Sequence, residues 1–342
     1  MVAKDDQRSQ RRRLLGYTGV ALFSFVLISN VLVWGSGKQK GGKDMGYFAG
    51  DLRWFLRKRN KGPIEITGKG LPAYGLTVVA LNDPQYNDMM SDFLGDNPPE
   101  LIKIAAPTAV FLINGSDRAL VAYDLIYDFR AADGKVSSNE YSPVFVPALM
   151  DLPQSRLTKD QALVILPGRA RLISPLLGSA GVGKGQAPPS FGDENVEKHQ
   201  KEVIMSAIKS TLAWTSSVTI TLDGAFFEDG SFVGPNASGF FERTRAIIDA
   251  QRDMLEWFIG AVHKRERKGE SRDMVFSELE AMVEKLPRPT SQGSSTDFYN
   301  NEKIEVAQEM LRMKDRIGAA KVILEKKKLL ETKWPVLRKV GS

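Results

Sequence analysis

The chain has 342 residues, 42% of them hydrophobic, no cysteine and a formal net charge of +6. This length and apolar content suit one or two domains with a substantial core, and the lack of cysteine excludes disulfides, thiolate metal sites and cysteine nucleophiles. The basic residues concentrate near the N-terminus and at the C-terminus without a nucleic-acid-binding motif. We therefore expect anionic lipid headgroups, and no nucleic acid, as their partner.

Residues 14–34 contain no charged side chain and predict a membrane-spanning helix. A helix of about 21 residues is roughly 30 Å long, which matches the hydrocarbon core of a bilayer. A cleaved signal peptide is the second interpretation, but it requires small residues at the cleavage site, whereas Leu32, Val33 and Trp34 are bulky. A buried core helix is the third, and such helices seldom stay apolar on every face. We expect a signal anchor.

The charges on either side of this segment predict its orientation. Basic residues occur on both sides, but the nearest arginines precede it, and long domains translocate largely regardless of charge. We expect residues 1–13 in the cytoplasm and the bulk of the chain outside the bacterial inner membrane. An extracytoplasmic domain without disulfides is typical of bacteria. The residues expected at the membrane interface are Arg11, Arg12, Arg13, Tyr17, Trp34, Arg53, Trp54, Phe55 and Arg57.

Residues 35–62 are predicted to form a basic juxtamembrane tether. Within it, residues 51–61 mix apolar side chains with basic ones. Two interpretations remain open. The segment is either a short helix in the membrane interface, with its rings in lipid and its arginines at phosphates, or a surface helix packed on the following domain.

Residues 63–237 show the pattern of an antiparallel β-sandwich, because short apolar or alternating stretches recur between Gly and Pro turn signals. Residues 82–99 are predicted as a loop with one helical turn around Met89. A Gly/Pro-rich loop at 177–193 and a helix at 196–212 are inserted, and the hairpin at Asp229-Gly230 is expected to supply the last strands. The predicted strands are 64–67, 76–81, 108–114, 119–130, 144–149, 162–166, 169–174 and 217–227.

Residues 100–176 resemble an immunoglobulin-like domain of exported bacterial proteins. The resemblance depends on the turns Asn114-Gly115-Ser116 and Leu166-Pro167-Gly168, the strand Val121-Ala122-Tyr123 and the hairpin Asp133-Gly134. Residues 223–236 are also similar to a segment of uncharacterised exported bacterial proteins. The cysteine pair and tryptophan of antibody domains are missing, so the resemblance concerns architecture. It implies a domain that binds or spaces other molecules.

Residues 238–342 change to a helical period. The first predicted helix begins at about Ser238, carries an apolar stripe from Phe240 to Val262 and stops at Gly269, and two more are predicted at about 272–286 and 298–332. The last would be about 50 Å long. It either packs along its neighbour as an intramolecular hairpin, which we favour, or pairs with another chain. The predicted fold class is therefore α+β: an N-terminal transmembrane helix, an antiparallel immunoglobulin-like β-sandwich and a C-terminal α-helical hairpin or bundle.

The sequence predicts no catalytic residue, cofactor or metal. Residues 178–184 fit the start of a phosphate-binding loop, but Gly185 replaces the required Ser or Thr, and Pro188-Pro189 prevent the helix that such a loop needs. The two histidines, His199 and His263, belong to no metal-binding array. Three acidic residues near one hairpin lack the spacing of a calcium loop and are better explained by the turn itself. They are Asp223, Glu228 and Asp229.

Two functional hypotheses follow. We favour a membrane-anchored extracytoplasmic protein that is not an enzyme and that serves as a structural or accessory subunit of an envelope assembly. Its β-domain would bind or space partners, and its C-terminal helices would contact other envelope proteins or a second copy. The alternative is a carboxylate-based envelope hydrolase that uses Asp223 and Glu228, which requires carboxyl groups about 5–10 Å apart in a cleft.

Overall fold

A computed structural model of the protein describes residues 64–94, 105–144, 164–175, 210–287 and 295–340, together with residues 102, 149, 182–183, 202 and 206. The predicted membrane span 14–34, the tether 35–62 and every predicted interface residue lie outside the described residues. Within the described ranges, no helix has the length and apolar character needed to cross a bilayer.

Two 3₁₀ turns occur among the described residues, at Pro72–Tyr74 and Ala106–Thr108. The strands are β1 (Glu65–Lys69), β2 (Leu76–Ala80), β3 (Val110–Asn114), β4 (Leu120–Ala131), β5 (Val136–Tyr141), β6 (Arg169–Ile173), β7 (Val182–Gly183), β8 (Thr215–Phe227), β9 (Ser231–Val233) and β10 (Arg338–Lys339). The helices are α1 (Gln85–Leu94), α2 (Phe240–Arg267), α3 (Met274–Lys285), α4 (Ser295–Ile317) and α5 (Ala319–Leu330).

The described residues form two compact units. The first unit contains the described residues up to Gly115, together with Leu125–Pro143 and Gly168–Thr221. The second contains Ser116–Asp124, the described residues of Val144–Pro167, and those from Leu222 onward. Each unit has its own apolar core.

In the first unit, an antiparallel sheet in the order β2-β3-β6-β7 packs against α1. Tyr86 and Phe93 of α1 meet Phe111 of β3 edge to face, with ring centroids 5.4 and 4.9 Å apart. Such aromatic pairs stabilise a core beyond the area that they bury. The prediction of a loop with a single helical turn at 82–99 was therefore wrong, because these rings bury α1 on the sheet.

The second sheet has the strand order β10-β9-β8-β4-β5, and β1 also pairs with β8. The hairpins predicted at Asp133-Gly134 and Asp229-Gly230 are confirmed, since they join β4 to β5 and β8 to β9. The predicted strand at 144–149 was wrong in part. Val144 forms only an isolated bridge with Ala122, and Leu149 is helical.

The predicted fold class, with its antiparallel immunoglobulin-like sandwich, was wrong. The fold is mixed, because β1 pairs with β8 in parallel and β10 pairs with β9 in parallel, whereas an immunoglobulin sandwich is antiparallel. Helices also form parts of both cores, with α1 in one and the start of α2 in the other. Strand spacing and turn signals describe neighbours along the chain, so they do not reveal a parallel partner about 150 residues away.

In the second unit, the helices α2–α5 enclose a common apolar cluster centred on Phe258 and Phe276. The stripe predicted for the first of these helices is confirmed, and so is its end at Gly269. The predicted single helix 298–332 was wrong, because Gly318, with φ 85° and ψ 149°, separates α4 from α5. Met310 of α4 and Val322 of α5 are fully buried in the cluster, so these helices pack within their own chain.

Candidate interaction surface

Asp223 stabilises the turn that leads into α2. It lies near the end of β8 and is 2% exposed. One carboxylate oxygen accepts a hydrogen bond from the Ala237 backbone N–H at 3.0 Å, and the other accepts one from the Ser238 N–H at 2.9 Å. A buried carboxylate that is satisfied by two backbone donors serves to hold the chain. The sequence favoured a hairpin-turn role for Asp223, but its partners Ala237 and Ser238 lie in the turn before α2, outside the β8–β9 hairpin.

Asp229 connects three segments of the second unit. Its carboxylate accepts hydrogen bonds from Ser231, from Arg118 at 3.3 Å and from Arg338 of β10 at 3.2 Å. Burial works to raise the pKa of Asp229, but the Ser231 hydrogen bonds, the Arg118 charge and the Arg338 hydrogen bond together lower it. Glu228 lies beside it and accepts a 3.4 Å hydrogen bond from the Ala119 N–H.

These acidic groups therefore bind donors of the protein itself. Among the described residues, no group of three or more His, Asp or Glu side chains is arranged to hold a metal ion. His263 lies exposed on α2, while His199 and residues 184–189 of the predicted loop lie outside the described residues.

Glu242, in the first turn of α2, is held by two donors. Asn236 donates to its carboxylate at 2.7 Å, and Lys339 of β10 donates at 2.8 Å. Burial opposes ionisation, but the hydrogen bonds from Lys339 and Asn236 prevail and lower the pKa of Glu242 to about 2. The negative charge also suits the helix N-terminus, where the backbone dipole is positive.

Polar contacts also fix α4 against α2. Gln251 donates a 2.6 Å hydrogen bond to the half-buried Glu302, and burial raises the pKa of that carboxyl group. Tyr299 donates its hydroxyl proton to Asp253, and burial followed by this hydrogen bond raises the pKa of Tyr299 to about 12. One side of α2 is thus occupied within the chain.

Further along α2, the outward-facing residues from Glu256 to Arg267 are open to solvent, as is the adjoining side of α3. A shallow groove of about 450 Å³ lies between the two helices, with the half-exposed Trp257, Met282 and Leu286 among its lining residues. We call this depression the α2–α3 groove. Its lining residues are Trp257, Glu278, Ala281, Met282, Lys285 and Leu286.

Next to the groove, α2 presents an exposed row that we call the Gly260 stripe. It consists of Glu256, Gly260, His263, Lys264 and Arg267, which helical spacing places on one side of the helix. Glycine in a helix interior costs about 1 kcal/mol relative to alanine. A Cβ built at Gly260 would meet no other atom within 4 Å in the described part of the chain, so packing there does not explain the glycine.

The sequence reasoning missed this surface. The period of α2 identified its buried stripe but said nothing of which exposed residues stand beside α3. Two signals were present: a glycine in the middle of a long helical pattern, and Trp257 just outside the apolar stripe. The groove and the Gly260 stripe together are called the α2–α3 face below.

Comparisons of the chain with protein-family models, with curated proteins and with solved structures gave no match. Inferences about function therefore depend on the geometry of the described residues and on the sequence.

Proposed function

We propose that this protein is a binding component rather than an enzyme, and that it contacts a protein partner through the α2–α3 face. The α2–α3 groove supports the proposal, because it leaves a half-exposed tryptophan and methionine accessible between two well-packed helices. Tryptophan is enriched among the residues that dominate protein–protein binding energy, and methionine adapts its shape to a partner.

A second observation supports the same proposal. The acidic residues that the hydrolase hypothesis needed are engaged within the protein: Asp223 holds the turn before α2, and Glu228 accepts a backbone hydrogen bond. The absence of an enzymatic role remains a prediction. The location, with anionic lipid near the basic segments at the bacterial inner membrane, is likewise a proposal from the sequence of residues 1–62. Fractionation with an alkaline wash tests it, since the full chain should stay with the membrane pellet.

Site-specific photo-crosslinking in cells that express the full chain tests the binding proposal. A photoreactive residue at Lys285 or Arg267 reports on the α2–α3 face, and one at Val136 or Lys321, both exposed elsewhere, serves as the control. We expect a discrete protein adduct from the face positions and none from the controls. No adduct from the face, or equal adducts from all four positions, would contradict the proposal.

A further inference from the structure

The exposed side of α2 carries an ordered charge pattern centred on Gly260. Acidic side chains, Asp253 and Glu256, lie on the N-terminal side of the glycine, and basic side chains, Lys264 and Arg267, lie on the C-terminal side. At about 100° per residue, all four fall within roughly 40° of the Gly260 direction. Glu256, Lys264 and Arg267 are exposed, whereas Asp253 is half-exposed and already accepts a hydrogen bond from Tyr299 of α4.

This pattern complements itself when the helix direction is reversed. Glu256 and Lys264 lie four residues before and after Gly260. If a second α2 crosses antiparallel at Gly260, Glu256 of each copy faces Lys264 of the other. A parallel crossing instead places acidic against acidic and basic against basic, which is unfavourable.

The glycine and the flanking side chains fit the same arrangement. With no side chain at Gly260 and open space above it, two helices can approach more closely there than at any larger residue. Trp257, at the edge of the α2–α3 groove, lies about 60° to one side of the Gly260 direction, so the two copies of Trp257 would lie on the same flank of the crossing. The twofold symmetry that this contact requires is the commonest symmetry of soluble oligomers.

We propose that the partner of the α2–α3 face is a second copy of this chain, bound antiparallel through α2 with Gly260 at the crossing point. The proposal depends on the proposed function and names its partner. The exposed length from residue 256 to 267 is roughly 16 Å, so the contact lies at the small end of protein interfaces. The dimer is therefore weak, with a dissociation constant on the order of micromolar.

Charge reversal tests the pairing in the full chain, purified in detergent and studied by sedimentation equilibrium. The variants Glu256→Lys and Lys264→Glu each convert two attractive contacts of the dimer into repulsive ones. Exposed ion pairs contribute up to about 1 kcal/mol, so each variant should weaken the dimer roughly 10-fold or more. The double variant restores the complementary pattern and should recover dimerisation. Glu325→Lys, which makes the same charge change on the exposed side of α5, is the control and should dimerise like wild type.

Gly260→Ala separates binding from folding. The added methyl group meets open space in the chain itself, so the variant should be at least as stable as wild type, while its dimer should be weaker by about 10-fold. A double charge variant that stays monomeric, or a Gly260→Ala variant that dimerises like wild type, overturns the proposal. Photo-crosslinks from the face to a different protein also overturn it but uphold the proposed function. The absence of any photo-crosslinked adduct would contradict both the dimer and the proposed function.

Discussion

Replacement of Asp223 by asparagine perturbs the turn on which the start of α2 depends. The wild-type carboxylate accepts one hydrogen bond with each oxygen, from the N–H groups of Ala237 and Ser238. Asparagine keeps one acceptor but directs an NH₂ group at the second backbone N–H. One hydrogen bond is lost, and two donors face each other at a site that is 2% exposed.

The magnitude follows from these contacts. A hydrogen bond to a charged group contributes about 1.5–3 kcal/mol, and a buried donor left without a partner costs about 1–3 kcal/mol. Because the two terms overlap, we expect Asp223→Asn to lower the free energy of unfolding by roughly 2–4 kcal/mol. That is a large fraction of the 5–15 kcal/mol typical of a domain and corresponds to a melting temperature lower by roughly 5–15 °C.

Urea denaturation of the full chain measures the loss, and native-state hydrogen exchange locates it. The amides of Ala237 and Ser238 should lose protection before those of the α2 interior. Asp117→Asn makes the same chemical change on a side chain that is 96% exposed and 3.8 Å from Arg118, so it should cost under about 1 kcal/mol. If the two variants are equally stable, or if protection at Ala237 and Ser238 is unchanged, the assigned role of Asp223 is wrong.

Three further predictions concern the second unit. Glu302→Gln keeps an acceptor for Gln251 and removes a charge that burial disfavours, so the melting temperature at pH 7 should rise by roughly 2–4 °C. Because the folded pKa of Glu302 is raised above 4.5, the stability gained by Glu302→Gln should shrink at lower pH. A gain that persists at pH 3 would contradict burial of the Glu302 charge as its cause. The folded pKa of Glu242 is lowered from 4.5 to about 2, so its stabilisation is present above pH 4.5 and is lost as the pH falls toward 2. Wild type should therefore lose more stability than Glu242→Gln as the pH falls through that window. Equal losses of stability in the two proteins would disprove the stabilising role of Glu242. Gly318→Ala places a side chain at φ 85° and ψ 149°, which should cost roughly 1–3 kcal/mol in thermal unfolding, opposite in sign to Gly260→Ala. An equal effect of the two alanine substitutions would contradict this reasoning.

Much of the local order of this protein can be deduced from its sequence. The hairpins at Asp133-Gly134 and Asp229-Gly230 follow from turn chemistry that acts over four residues, and the buried side of α2 follows from a repeat of 3.6 residues. The contacts of Asp223 do not follow from such a short pattern, because its partners Ala237 and Ser238 lie 14 and 15 residues further along the chain, in the turn before α2.

The features that the sequence did not reveal are those that depend on distant partners. Pairing of β1 with β8 joins segments about 150 residues apart, and no local pattern distinguishes a parallel partner from an antiparallel one. Packing on Phe111 makes α1 a helix where the sequence favoured a loop, and the conformation of Gly318 decides that α4 and α5 are two helices. The α2–α3 face likewise emerges only when α3 and α4 cover the other sides of α2, because burial depends on the tertiary neighbours of a residue as well as on its own chemistry.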